Sequence, residues 1–143
     1  MRYARPTAAL AAALSVVGCG GSSSDKTTTT AAAIDKDGRV AVVLKEFTIA
    51  PSPSSVSAGK VTFAVENAGN IKHEFVVVKT AKPAASLLKG AEADETGNVG
   101  EIGDVPPGAT KNLTISFKPG HYALICNLPG HYKAGQHADF TVR

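Results

Sequence analysis

Four short segments of this chain alternate apolar and polar residues with a period of two, and that alternation restricts the fold more than any other feature. "VTFAV" places Val61, Phe63 and Val65 on one face. "NLTISF" does the same with Leu113, Ile115 and Phe117, "HYALIC" with Tyr122, Leu124 and Cys126, and "HADFTV" with Ala138, Phe140 and Val142. Such alternation marks half-buried β-strands, because successive side chains point to opposite faces of a sheet. "HEFVVVK", from His73, is apolar almost throughout, as expected of a strand well inside a sandwich. Turn-forming stretches separate these runs: "APSPSSVSAGK", "NAGN", "DVPPGATK" and "KPGH". The expected fold is all-β, an antiparallel Greek-key β-sandwich.

Two regions depart from the alternation. In "VAVVLKEFTIA" the apolar parity switches from Val40, Val42 and Leu44 to Phe47 and Ile49, which suggests a bulge or bend near Lys45–Glu46. Between Ala81 and Pro107 the pattern is weak. A short helix around Ala84–Lys89 fits "PAASLLKGAEADE", and "TGNVGEIGDVPPG" reads as loop with at most a short strand. The fold therefore carries one short helix/loop insertion.

The chain begins with a basic pair, Arg2 and Arg5, then an apolar run from Ala8 to Val17. That run is too short to cross a hydrocarbon core of about 30 Å as a helix and ends in small residues. Residues 1–18 are expected to be a signal peptide. "VVGC" resembles a bacterial lipobox, which implies cleavage before Cys19 and a lipid on its thiol. The Gly/Ser/Thr-rich segment Gly20 to Ala33 cannot bury enough surface to offset its conformational entropy, so residues 19–38 are expected to form a lipidated, disordered tether. Residues 39–143 remain for a single domain, exported and held at the outer face of a membrane.

Without Arg2 and Arg5 the chain has 13 Lys+Arg against 12 Asp+Glu, a net of +1. Near-neutral charge with scattered basic residues gives no footprint for nucleic acid. The cysteines are two, Cys19 and Cys126. If Cys19 carries lipid, Cys126 is a lone thiol in an oxidising compartment, needing protection by burial or by a metal.

The last 23 residues give that thiol its company: Cys126, His131 and Gln136 follow the spacing C-x4-H-x4-Q, and His73 lies upstream at the start of an apolar strand. One thiolate with imidazoles favours copper, and in trigonal His2Cys sites a weak axial ligand completes the set. His121 and His137 compete for the second imidazole. His121 faces away from Tyr122, Leu124 and Cys126, and lies about 16 Å back along an extended strand. His137 is out of phase with Ala138, Phe140 and Val142, whereas Gln136 is in phase with them.

These motifs resemble the cupredoxins, the plastocyanin/azurin family of blue copper proteins. The resemblance runs from Arg39 to Arg143 and is most specific in "CNLPGHYKAGQHADFTV", with "N-x5-HEF" upstream. It implies a β-sandwich holding one type 1 copper ion, with His73, Cys126 and His131 as equatorial ligands. Most of the family has methionine in the axial place. Here it is Gln136, as in stellacyanin-like members, which implies a lower reduction potential. The resemblance also implies that the backbone N–H groups of Glu74 and Leu128 donate to the Cys126 sulfur, with the Lys72 carbonyl as a distant neighbour. Asn67 either ties the turn that presents His73 or is a plain turn residue.

The implied activity is single-electron transfer through Cu(I)/Cu(II), without catalysis, by a monomer. Redox partners would dock at the edge of His131, ringed by Leu128, Pro129, Gly130 and Tyr132. The alternative is a lipoprotein that captures or delivers copper. A copper enzyme of the same fold is disfavoured because Ile125 and Asn127, not histidine, flank Cys126. A sandwich module without metal would leave the C-x4-H-x4-Q spacing to accident.

Overall fold

A computed structural model describes residues 38–143. The expected signal peptide, Cys19 and nearly all of the expected tether lie outside the described residues.

Two sheets pack face to face. The first contains β1 (Arg39–Lys45), β2 (Thr48–Ser52), β4 (Gly59–Asn67) and β9 (Thr110–Phe117), in the order β2-β1-β4-β9. The second contains β3 (Ser55–Val56), β5 (His73–Lys79), β8 (Asn98–Val105), β10 (Gly120–Ile125) and β11 (His137–Val142), in the order β3-β11-β10-β5-β8. The alternating residues meet between them. Phe63, from the first sheet, packs edge-on against Phe75 and Phe140 of the second, each with ring centres 5.3 Å apart. Such edge-to-face pairs add to the burial of large apolar area.

The all-β expectation holds, but the sheets are mixed. β1 runs parallel to β4, and β3 runs parallel to β11. Alternation reveals which face a residue takes, not the direction of its strand, so these two pairings left no trace in the sequence pattern. The parity switch at Lys45–Glu46 is a hairpin and not a bulge. Lys45 pairs with Thr48 and Leu44 with Ile49, leaving Glu46 and Phe47 as the turn. In a two-residue hairpin, directly opposed residues have opposite parity, so the inward set changes from even to odd numbers. Ile49 is buried as expected, whereas Phe47 is 36% exposed at the turn.

The second departure is β8, an eight-residue strand where loop was expected. It is the edge of its sheet and largely exposed, so it has no reason to alternate. Gly100 also disguises it. A Cβ there would come within 3.0 Å of Ile115 Cδ1, so glycine permits the close approach of β8 to β9. The expected helix over Ala84–Lys89 shrinks to one 3-10 turn, Ala84–Ser86, followed by the small hairpin β6 (Leu88–Lys89) and β7 (Glu92–Ala93). This insertion covers the outer face of the second sheet. Ala84, Leu87 and Ala93 bury Val76, Val78, Ala123, Ile125 and Tyr132. Phe75 and Val77 meanwhile face the main core. Both faces of β5 are buried, which explains its unbroken apolar run.

Candidate metal centre

The site forms where the second sheet ends. Cys126 directly follows β10, and Gln136 directly precedes β11. Ile125 pairs with His137 across the ladder, and Cys126 N–H donates to the Gln136 carbonyl at 3.1 Å. Cys126 and Gln136 are thus opposed, and the residues between them are an excursion that returns to its origin. His131 sits within that excursion. Its N–H donates to Leu128 O at 3.0 Å, and Gln136 N–H donates to His131 O at 3.1 Å. Gly130, at φ 81°, supplies the left-handed turn just before His131.

His73 opens β5 in the neighbouring strand. The turn before it is tied by Asn67, which is fully buried. Asn67 Nδ2 donates to Ile71 O at 2.8 Å and Val105 O at 2.7 Å, and its Oδ1 accepts from Gly69 N–H at 2.9 Å. Of the two readings open for Asn67, the structure selects the tie.

These local structures bring His73, Cys126 and His131 together, with one donor atom from each lying within 4.8 Å of the others. His131 Nδ1 is 3.4 Å from Cys126 Sγ and 3.3 Å from His73 Nδ1. His73 and Cys126 are fully buried, and His131 is only partly so. The Cys126 sulfur accepts the N–H of Glu74 at 3.3 Å and that of Leu128, as expected.

Gln136 is also fully buried beside this cluster. Its Nε2 donates to Lys45 O at 3.1 Å and lies 3.0 Å from His73 Nδ1. Its Oε1 has no hydrogen-bond partner. A buried carbonyl oxygen without a donor is expensive, about 1–3 kcal/mol. The Nδ1 atoms of His73 and His131 also face each other at 3.3 Å. A cation held by Cys126 Sγ and the two imidazoles would sit where these donors converge, and an amide turned to bring Oε1 toward it would give that oxygen a partner. The thiol and two imidazoles suit the soft-to-borderline preferences of copper, and the cluster of His73, Cys126 and His131 fits one type 1 copper ion.

Burial dominates the electrostatics. It lowers the His73 pKa from 6.5, assisted by the nearby His131, so His73 is neutral with a free lone pair at neutral pH. It raises the Cys126 thiol above 9.0; the two backbone N–H donors oppose this, and the Glu74 carboxylate adds to it. Glu74 itself is pushed up, first by burial and then by Glu95.

His121 and His137 stay out of the cluster. The His121 ring nitrogens lie 2.9 Å from Thr80 O and 2.8 Å from Asp139 Oδ1. The His137 ring packs on Tyr132 at 5.1 Å.

Tyr132 corrects the expected surface ring around His131. It is 4% exposed and faces the insertion. Its hydroxyl donates to Ala84 O at 2.6 Å and accepts from Leu87 N–H at 2.8 Å, anchoring the loop from behind. Asn127 adds a second anchor by accepting from Ala93 N–H at 2.7 Å and donating to Glu95 Oε1 at 2.7 Å. The aromatic ring beside His131 is instead Phe47, 5.0 Å away in an edge-on arrangement. Nothing in the local pattern pointed to Phe47, because its parity suggested the core.

Among curated proteins, the chain is 32% identical over 97 residues to the copper-resistant cuproprotein CopI of Rubrivivax gelatinosus, covering 65% of this chain and 58% of that protein. It is 26% identical over 136 residues to the protein of the same name from Pseudomonas aeruginosa, covering 73% and 75%. The chain thus spans a little under three-fifths of the length of the Rubrivivax relative. Among solved structures, reduced auracyanin of Roseiflexus castenholzii matches with a TM-score of 0.58 at 22% identity, covering 74% of this chain and 97% of that one. Rusticyanin of Thiobacillus ferrooxidans matches at 0.54 and 19%, covering 74% and 78%. At these identities the likeness shows the fold. A family model described as a cupredoxin-like domain matches residues 11–137, and on that extent the chain belongs to the cupredoxin-like family.

Proposed function

We propose that this protein is a type 1 copper protein that carries single electrons, with His73, Cys126 and His131 as equatorial ligands and Gln136 Oε1 as the axial neighbour. The observation that carries the reading is the unequal burial of the donors: His73, Cys126 and Gln136 are sealed, while His131 alone reaches the surface. When bound, the copper would supply the Cu(I)/Cu(II) couple. The chain's own part is to hold the donors still and to offer one route out.

Rigidity comes from the loop. Backbone bonds fold it on itself, and Tyr132 and Asn127 fasten it to the insertion. A donor set that cannot relax changes little between oxidation states. The two N–H groups on Cys126 Sγ stabilise thiolate charge and so tune the potential. The partly exposed His131 edge, beside Phe47, Leu128 and Pro129, makes a small apolar surface suited to brief docking with a redox partner. A lipid on Cys19 and the tether after it would keep this monomeric carrier at the outer face of the membrane, close to partners held there.

A second reading is copper capture or delivery. It is favoured by the relatives, whose names describe copper-resistant cuproproteins. Electron self-exchange and copper release separate the two. A carrier exchanges electrons rapidly while retaining its ion. A handling protein gives up Cu(I) readily to a competing chelator, and that result would displace the carrier reading.

A further inference from the structure

The β1–β2 hairpin meets three of the four site residues through three successive residues, Lys45, Glu46 and Phe47. Lys45 O accepts from Gln136 Nε2 at 3.1 Å, Glu46 Oε1 lies 3.6 Å from His73 Nε2, and the Phe47 ring lies 5.0 Å from that of His131. The middle contact is the most informative. His73 Nδ1 faces the other donors, so it must keep its lone pair and the ring proton must sit on Nε2. That Nε2 is fully buried and has no hydrogen-bond partner. The Glu46 carboxylate stands over it at a distance where the contact is electrostatic and not a formed hydrogen bond.

Glu46 is also held in place. Its Oε1 accepts from Asn70 N–H at 2.6 Å and Ile71 N–H at 2.9 Å. Residue 69 is a glycine, and a Cβ there would fall 2.5 Å from Glu46 Oε1, so a side chain at 69 would push the carboxylate from this position. The carboxylate is therefore cradled by the same turn that presents His73.

We propose that Glu46 is a positioning residue for the copper site. Its carboxylate fixes the Nε2–H tautomer of His73 and makes that imidazole a stronger donor, which favours Cu(II) over Cu(I). The inference rests on the copper-binding reading but not on electron carriage. A carboxylate on the far nitrogen of a ligand histidine typically changes metal affinity by 10–100-fold.

The test compares Glu46→Gln and Glu46→Ala with the wild-type domain. Glutamine keeps an oxygen for the Asn70 and Ile71 N–H groups and loses only the charge, so its thermal stability should stay near wild type. In the metal-free protein, ¹⁵N NMR of the His73 ring should show the Nε2–H tautomer dominant in wild type and depleted in Glu46→Gln. In the copper-loaded protein the reduction potential of Glu46→Gln should rise, by about 59 mV for each tenfold loss of Cu(II) over Cu(I) preference. Glu46→Ala should show both changes together with lower stability. Unchanged ring-nitrogen shifts and potential in Glu46→Gln would overturn the proposal and leave Glu46 as a pin for the turn. Failure of the wild type to bind copper would instead sink the copper reading, and the metal-free spectra would still decide the tautomer.

Discussion

Replacing Gln136 with methionine separates its two possible roles. The side chains are of similar length, so the packing of this fully buried position changes little. The substitution removes the hydrogen bond from Nε2 to Lys45 O, 3.1 Å long and partly buried. One such bond contributes about 1 kcal/mol net. Methionine also removes the unpartnered Oε1, whose burial costs at least as much, so the melting temperature of the metal-free form should not fall. The substitution also replaces the spare amide oxygen with a thioether, a softer donor that favours Cu(I). The reduction potential should therefore rise, by about 59 mV for each tenfold shift in preference. Redox titration followed through the thiolate–copper absorption reads the potential, and a melt of the metal-free protein reads the stability. An unmoved or lower potential would refute the axial assignment, and a lower melting temperature beside it would leave Gln136 as a brace for the hairpin.

Three further outcomes are expected. Tyr132→Phe leaves the Ala84 carbonyl and Leu87 N–H without their buried partner and should destabilise the domain by about 2–3 kcal/mol in chemical denaturation. Copper loading at pH 7 should release about one proton, because the Cys126 thiol lies above 9.0 and must ionise to bind; a pH-indicator assay should show no such release in Cys126→Ser. The metal-free domain should lose stability as pH falls through 6.5 toward the depressed His73 value, since the unfolded chain takes up that proton first; the slope should flatten in His73→Gln.

Much of this site could be read from the chain because its parts are strand ends. Cys126 and Gln136 are in phase with inward-facing neighbours, and the same parity argument set His121 and His137 aside. What escaped was set by tertiary packing. Strand direction has no period, so the parallel pairs were invisible. β8 is an exposed edge whose glycine serves the approach of β9. Phe47 and Glu46 occupy a hairpin turn, where strand parity stops applying, and there they reach two histidines far away in sequence. Tyr132 was expected beside His131 at the surface. A segment nearly fifty residues upstream turns it inward instead.

The most direct test of the account is addition of one equivalent of Cu(II) to the domain spanning residues 39–143, followed by a visible spectrum. An intense thiolate-to-copper charge-transfer band should appear and saturate at one ion per chain, and it should vanish in Cys126→Ser. No band in the wild type, or one that survives the loss of Cys126, would contradict the claim that His73, Cys126 and His131 together hold a type 1 copper.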